Sequence, residues 1–447
     1  MRGSDGYDLH ARHLNPVLPR MLHTIGFDTV YERGSGAYLY DRDGTAYLDL
    51  LAGFGVFALG RHHRVLRDAL HQVLDLDLAD LAQMDTPLLE GVLAEELLKR
   101  APGLDRAYFC NSGTEAVEAA LKFARAATKR SRILFCDHAF HGLTAGSLSV
   151  NGGHEFRSGF GPLLPDTCIP FGDLAALERE LSRGDVAALV VEPIQGKGVR
   201  VVPPGFLESA ADLLHDHGAL LICDEVQTGV GRTGSFFAYQ HEPTVQPDIV
   251  TVAKALSGGY VPVGATLAKD WVFRRVYSSM DKVMVHSSTF GGNALAMTAG
   301  LATLAVIEDE QLVDRAQRMG ALLQSELAAM AERFELIVDI RGRGLMIGIE
   351  FGQPQSRSLR RRWTVLQAAR RGLFAQMVVG ALYRQHHVLT QVAADHLEVI
   401  KLLPPLTIGE REITCFVEAL TEVMESAGRG GLMKDFGRTL IRQAMKT

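Results

Sequence analysis

The chain lacks any long apolar run. The longest uninterrupted one, Val186–Val191, has six residues, against the roughly 20 that a membrane-spanning helix needs. The opening MRGSDGYDLH carries no apolar core of the secretory-signal kind. Cysteine is scarce: Cys110, Cys136, Cys168, Cys223 and Cys415 are scattered, odd in number and without a CxxC pair. Neither a disulfide framework nor a zinc site is indicated, and a reducing cytoplasm is the expected home. Excess positive charge is also missing. Lys and Arg number 46 against 52 Asp and Glu, a net of −6, so the basic footprint of nucleic-acid binding is absent. The cluster Arg357, Arg360, Arg361, Arg362 reads as a local, solvated face. No internal repeat or low-complexity tract interrupts the chain. What is there is 447 residues, 47% apolar and 22% charged, a composition that excludes a disordered chain. About three folding units fit this length, as does one large α/β unit with appendages.

From residue 104 to 300, short apolar runs alternate with helical patterns. AYFC (Ala107–Cys110) reads as a strand. It leads into a helix with Ala116, Ala120, Phe123 and Ala127 on one face. Further strands are expected at Ile133–Cys136, Ala187–Val191, Ala219–Cys223 and Ile249–Val252, with a helix from Phe206 to His217 ended by Gly218. Strands apolar on both faces and separated by helices argue a mainly parallel sheet covered on both sides. The flanks differ. Residues 36–50 read as a hairpin turning at Asp43-Gly44. Residues 310–333 form one helical pattern, Leu336–Phe351 and Val388–Leu403 look like strands, and Gly409–Ala427 like a helix. The tail from Gly428 reads as a glycine hinge and an amphipathic helix, able to dock on its own domain or on a partner subunit. The expected division is 1–60 and 331–427 in a small α+β domain, 61–330 in a large domain, and 428–447 as the tail.

Three groups carry candidate chemistry. Asn111-Ser112-Gly113-Thr114-Glu115 stands where a strand gives way to a helix. Unpaired N–H groups and the helix dipole suit an anion there; the bland reading is an N-cap. Asp224-Glu225-Val226-Gln227 follows the strand ALLIC, at the strand end where open α/β sheets bind ligands; a loop carboxylate capping a turn is the alternative. Lys254 lies between an apolar strand and Gly258-Gly259. Burial favours the uncharged amine, a nucleophile toward aldehydes, whereas a snorkelling surface lysine would do nothing.

These groups occur together with Ala139-Phe140-His141-Gly142, Glu192-Pro193-Ile194-Gln195-Gly196, GVGRTG (229–234) and STFGGN (288–293). In this order and spacing the set resembles the class III aminotransferases, fold type I enzymes that use pyridoxal 5′-phosphate (PLP). The resemblance extends to DRDGTAYLDLLAGFGVFALGRHH near the N-terminus and to RGRGLMIGIE and LLPPLTI near the C-terminus. It implies a mainly parallel seven-stranded sheet and a small domain built from both termini. It further implies that Lys254 joins the PLP aldehyde and later moves the proton, and that Asp224 binds the pyridine nitrogen. Gln227 would bond the ring hydroxyl, Phe140 and Val226 would cover the ring faces, and Ser112, Gly113 and Thr114 would hold the phosphate. His141 and Glu192 would border the cofactor, His141 as a structural rather than a catalytic histidine. Thr289 would reach the phosphate of a neighbouring subunit, which implies a homodimer. By residue type alone, Phe140 and Val226 are more commonly core.

The chain departs from that pattern twice. Relatives using glutamate and 2-oxoglutarate usually read EPIQGE and carry an arginine before the Pro-Pro; here stand Lys197 and Lys401. Lysine offers a point charge where arginine offers a fork. Two near cations repel unless an anion lies between them, so one substrate is expected to carry an anion other than a standard dicarboxylate, or Lys401 to face another acid. The bland alternative leaves Lys197 in solvent and Lys401 as a weak substitute for the arginine. Phe54 and Phe57 suggest an apolar substrate pocket or simple core. The expected activity is amino-group transfer between an amine, diamine or ω-amino acid and a keto acid or aldehyde, in two stages through pyridoxamine phosphate. A racemase or epimerase on the same scaffold is the alternative.

Overall fold

The computed structural model describes residues 3–82, 84–393 and 397–444. At its centre is a seven-stranded sheet. Across it the strands run Arg106–Cys110, Gly264–Ala268, Ile249–Val252, Leu220–Asp224, Val186–Val191, Arg132–Cys136 and Thr167–Ile169. All are parallel except Gly264–Ala268, which opposes both of its neighbours. Val186–Val191, Leu220–Asp224 and Ile249–Val252 are buried at every position, as strands covered on both faces must be.

The helix Gly113–Thr128 begins on Ser112, whose Oγ accepts from the Glu115 N–H at 3.3 Å. Its expected apolar face is buried, and Val117, Ala119, Leu121 and Ala124 are buried as well. The helix is enclosed by the sheet on one side and helix Asp270–Val276 on the other. Periodicity missed two strands of this sheet, the edge strand Thr167–Ile169 and Gly264–Ala268; the closeness of the helix explains the second. GATLA is built of small residues because the helix end presses on it. A Cβ on Gly264 would come within 2.4 Å of the Ser112 carbonyl oxygen, and Thr266 donates to the Ala116 carbonyl.

The chain ends meet in smaller sheets. Tyr38–Asp41 and Ala46–Asp49 form the expected hairpin, with Gly44 at φ +81° and the Asp41 carboxylate taking the N–H groups of Asp43 and Thr45. Tyr31–Ser35 adds to one edge and Val388–Leu389 pairs parallel with Ala46–Asp49. The segment expected as one strand over 388–403 is three: Val388–Leu389, Gln391–Val392 and Val399–Leu402. The last two join the hairpin Ile337–Arg343/Met346–Phe351. Helices Arg357–Ala369 and Leu373–His386 fill the region between, and the periodicity reading did not anticipate them. Arg357, Arg360 and Arg361 are exposed as expected, while Arg362 donates to the Gly428 carbonyl. The tail helix Gly431–Ala444 follows Gly430 at φ +78° and docks on its own chain, with Leu432 buried and Met433 and Phe436 against the core. Residues 445–447, expected in that helix, lie outside the described residues.

Two helical glycines have opposite surroundings. A Cβ on Gly320, within helix Leu312–Arg333, would lie 2.1 Å from the Gly344 carbonyl oxygen, at the turn of the 337–351 hairpin. A Cβ on Gly91, exposed in helix Leu88–Lys99, would meet nothing within 4 Å. Gly320→Ala is expected to destabilise by about 1–3 kcal/mol, the cost of overpacking. Gly91→Ala is expected to stabilise by roughly 0.5–1 kcal/mol through helix propensity. Urea denaturation midpoints check both signs.

Candidate active site

The carboxyl ends of the parallel strands share one edge of the sheet. Five of the six release their chains into loops there after Cys110, Cys136, Val191, Asp224 and Val252. The opposed strand enters at the same edge through Val261, Pro262 and Val263. These loops surround a cavity of about 880 Å³. Ser112, Gly113, Thr114, Phe140, His141, Glu192, Asp224, Val226, Gln227, Lys254, Phe54, Lys197 and Lys401 all line it. Of the expected site residues only Thr289 stands outside, exposed in the segment after Ser288.

Asp224 is 3% exposed. One oxygen accepts from the Val226 N–H at 3.0 Å and the Thr251 hydroxyl at 3.2 Å; the other meets His141 Nδ1 at 2.6 Å. His141 is held from behind, its backbone N–H on Asn151 Oδ1 at 2.6 Å, and its Nε2 is buried without a partner among the described residues. Burial opposes the imidazolium, but the hydrogen bond and charge of Asp224, with Glu192 further off, outweigh it and raise the His141 pKa above 6.5. A carboxylate accepts about four hydrogen bonds, so three partners leave Asp224 one lone pair for a further N–H.

Lys254 occupies the left-handed region, at φ +45°, in the turn Lys254–Ser257. For a residue with a Cβ such a backbone costs about 1–2 kcal/mol. Burial lowers the pKa of its amine, and the negative charges of Asp224 and Glu192 partly restore it. Glu192, whose own pKa burial raises, organises backbone. It accepts from the Phe140 N–H at 2.9 Å and from the Gly196 N–H at 2.7 Å. Phe140 is thereby held with its ring edge-on to Phe156 at 5.2 Å.

At the helix start, the Ser112 hydroxyl is an acceptor toward Glu115 and keeps its own proton to donate. Gly113 is required by a neighbour as well as by an anion: a Cβ there would lie 2.6 Å from Val226 Cγ1. The Thr114 hydroxyl is already engaged with those of Thr144 at 2.7 Å and Ser147 at 2.6 Å.

The substrate side is built from side-chain pairs. Lys197 stands at the tip of the two-stranded ribbon Ile194–Gln195/Arg200–Val201. It is not in free solvent: Glu155 pairs with it, and its ammonium lies 3.9 Å from the Phe156 ring centre. Lys401 is 4% exposed and pairs with no acid among the described residues; it donates to the Gly196 carbonyl at 2.8 Å and to Gln227 Oε1 at 3.3 Å. Gln227 also donates to the Phe54 carbonyl at 3.1 Å. Phe54 sits at φ +65°, half exposed at the cavity wall, while Phe57 packs against Arg61 and Tyr260. Asn151, Thr251, Glu155 and Phe156 escaped the sequence reading. Only Thr251 left a signal, a hydroxyl inside the apolar strand IVTV.

The residues present fit PLP. An amine of lowered pKa, a buried carboxylate with one vacant lone pair, apolar walls from Phe140 and Val226, and a helix N-terminus with the Ser112 proton occur on one cavity. If Asp224 is what charges His141, then Asp224→Asn removes the opposing term and leaves burial to act alone. The His141 pKa is expected to fall from above 6.5 to below it, as read by NMR titration of the imidazole; an unchanged value would refute the pairing.

Residues 23–424 match the family described as aminotransferase class-III. The chain is 37% identical over 455 residues to "Aminotransferase PigE" of Serratia sp. (strain ATCC 39006), covering 94% of this chain but 53% of that protein. It thus spans about half of that relative's length. It is 39% identical to the acetylornithine aminotransferase of Methanopyrus kandleri, covering 88% of this chain and 94% of that one. The crystal structure of an ornithine aminotransferase from Toxoplasma gondii ME49 superposes with a TM-score of 0.83 at 30% identity, covering 96% of both chains. An omega transaminase from Pseudomonas jessenii, solved in complex with PMP, gives 0.79 at 26% identity, over 90% of this chain and 94% of that one. Family match, identity and fold agree with the geometry at the sheet edge: the chain belongs to the class III aminotransferases, enzymes that depend on pyridoxal 5′-phosphate.

Proposed function

We propose that this aminotransferase moves an amino group from an amine, diamine or ω-amino acid to a keto acid or aldehyde, with Lys254 and Asp224 as its chemical centre. One observation carries the assignment: a lysine of lowered pKa and a buried, triply held carboxylate line the same cavity. The named relatives are aminotransferases and lend the racemase alternative no support.

When bound, PLP supplies a carbonyl for the amine and a ring that accepts the electrons released at the carbon bearing it. Lys254 Nζ would take the proton from that carbon and hold it for return, a task suited to an amine whose pKa burial lowers. Asp224 would hold a ring N–H, its orientation fixed by His141, Thr251 and the Val226 N–H. Phe140 and Val226 would cover the ring and exclude water. Ser112, Gly113 and the helix N-terminus would hold the phosphate; Thr114 braces that turn through Thr144 and Ser147. The donor leaves as a carbonyl compound, and the keto acid then takes up the amino group.

A homodimer with Thr289 contributed across the interface is part of this reading. Its support is an exposed apolar stretch, Met280, Val283, Met284, Val285 and Phe290, beside Thr289, of the kind that marks an interface. Asn111 Nδ2 reaches Ser288 Oγ at 2.8 Å and ties that stretch to the phosphate turn. The division into residues 1–60 with 331–427, 61–330, and 428–447 is proposed likewise; the pairing of Val388–Leu389 with Ala46–Asp49 supports it. A cytoplasmic site is inferred from five unpaired cysteines. No helix among the described residues is long and apolar enough to cross a membrane.

Lys254→Ala is expected to reduce transfer from an amine donor to pyruvate by at least roughly 10²–10⁴-fold, the usual contribution of a positioned base. It is expected to retain PLP without a covalent link. Alanine formation measures the first, and borohydride fixation, present in wild type and absent in the variant, measures the second. Activity near wild type in Lys254→Ala would refute the assignment. So would a wild-type enzyme that racemises the donor without transferring its amino group.

A further inference from the structure

The cavity holds two lysines besides Lys254, and they differ in a way the proposed reaction does not explain. Lys197 has an acid, Glu155, and an aromatic face, Phe156. Lys401 has neither. Its strand, Val399–Leu402, runs between Met346–Phe351 and Gln391–Val392, and the residues opposite Lys401 are Gly348 and Gln391, both uncharged. Among the described residues, the charged groups that act on it from other elements are Lys254, Lys197 and Glu192. Two are cations. Glu192 already accepts from the Phe140 and Gly196 N–H groups. Lys401 Nζ therefore rests on two neutral oxygens, the Gly196 carbonyl and Gln227 Oε1. A buried ammonium with only neutral partners is costly and sheds its proton readily.

The reaction places two kinds of molecule in this cavity in turn. A keto acid brings a carboxylate; an amine or diamine donor brings none. An arginine keeps its charge in both states and must be neutralised or moved when the carboxylate is absent. A lysine has another course open to it.

We propose that Lys401 is a specificity-determining residue that reads the keto acid's carboxylate by taking up a proton together with it, and stands uncharged while a carboxylate-free amine occupies the site. The inference rests on the aminotransferase reading but is separable from it, because binding alone reveals it. Burial, then the Lys254 and Lys197 charges, push the Lys401 pKa down to about 7, with Glu192 opposing. The sign follows by linkage. A carboxylate raises the pKa of the bound state, so affinity is full below about pH 7 and falls as pH rises above it, up to tenfold per unit. A donor without a carboxylate does not share this dependence.

The test uses the PLP-loaded wild-type enzyme and 4-phenylbutyrate, which has a carboxylate, an apolar body and no reactive carbonyl. Calorimetry in two buffers of different ionisation heat counts protons taken up on binding. Wild type is expected to take up close to one proton at pH 8 and almost none at pH 6, with a dissociation constant rising towards tenfold between pH 7.5 and 8.5. Lys401→Arg is expected to bind without uptake and with a flat pH profile. No uptake by wild type at pH 8, including no binding at all, overturns the proposal. Equal uptake by Lys401→Arg overturns it too, by assigning the proton elsewhere. A second measurement keeps it falsifiable should the variant not fold: in wild type, KM for pyruvate must climb above pH 7 more steeply than KM for a carboxylate-free amine. Parallel profiles would sink the proposal while leaving amino transfer itself intact.

Discussion

A carboxylate buried at the end of a central strand is the constraint on which the site depends. Asp224 sits where Leu220–Asp224 leaves the sheet, 3% exposed. Such a charge is tolerated only when paired and hydrogen-bonded. Three elements share the work: the next strand through Thr251, the chain's own turn through the Val226 N–H, and the 137–142 loop through His141. Each partner is committed in turn, His141 to Asn151 and Val226 to Gly113, where any Cβ would collide. The Ser112–Thr114 turn and the Asp224 carboxylate are therefore positioned by one connected set of contacts. Displacing Asp224 would unsettle the floor of the cavity as well as remove a charge.

The same edge explains why so many polar groups gather at one place. Parallel strands release their loops on one side, and helix N-termini face the same way. Backbone donors converge there without any side chain being asked to cross the core. Glu192 uses this arrangement structurally. By accepting from Phe140 and Gly196 it couples the loop over the ring to the ribbon that carries Lys197. A residue expected at the cofactor thus acts by shaping the backbone that borders it.

Much of this was legible because it follows from local chemistry. Alternating apolar strands and helices give the sheet. The Ser112 cap, the acid after ALLIC and the lysine after IVTV mark its active edge. What was hidden depends on partners remote in sequence. GATLA carries too little hydrophobic signal to read as a strand, and its small residues are explained only by the helix pressing on Gly264. Asn151 and Glu155 are ordinary loop residues until His141 and Lys197 are placed against them. The Lys197 and Lys401 substitutions were visible as departures, yet their difference was not. The acid that satisfies Lys197 comes from the short helix His154–Arg157, and nothing in the sequence says that Lys401 pairs with none among the described residues.

That difference separates the two halves of the cavity physically. The cofactor side is held by backbone groups and by side chains bound at both ends, so its charges are fixed by the fold. The substrate side is held by long side chains, Lys197 on Glu155 and Lys401 on Gln227, with Gln227 in turn on the Phe54 carbonyl. These contacts are individually weak and exchangeable. A bidentate guanidinium at position 401 would impose a permanent charge on a pocket walled by Phe54, Val56, Phe156 and Val261. A neutral amine on uncharged oxygens imposes none until an anion arrives and brings its proton with it. One rigid cofactor site can then serve substrates of unlike charge, because only protonation and a few hydrogen bonds need to change between them.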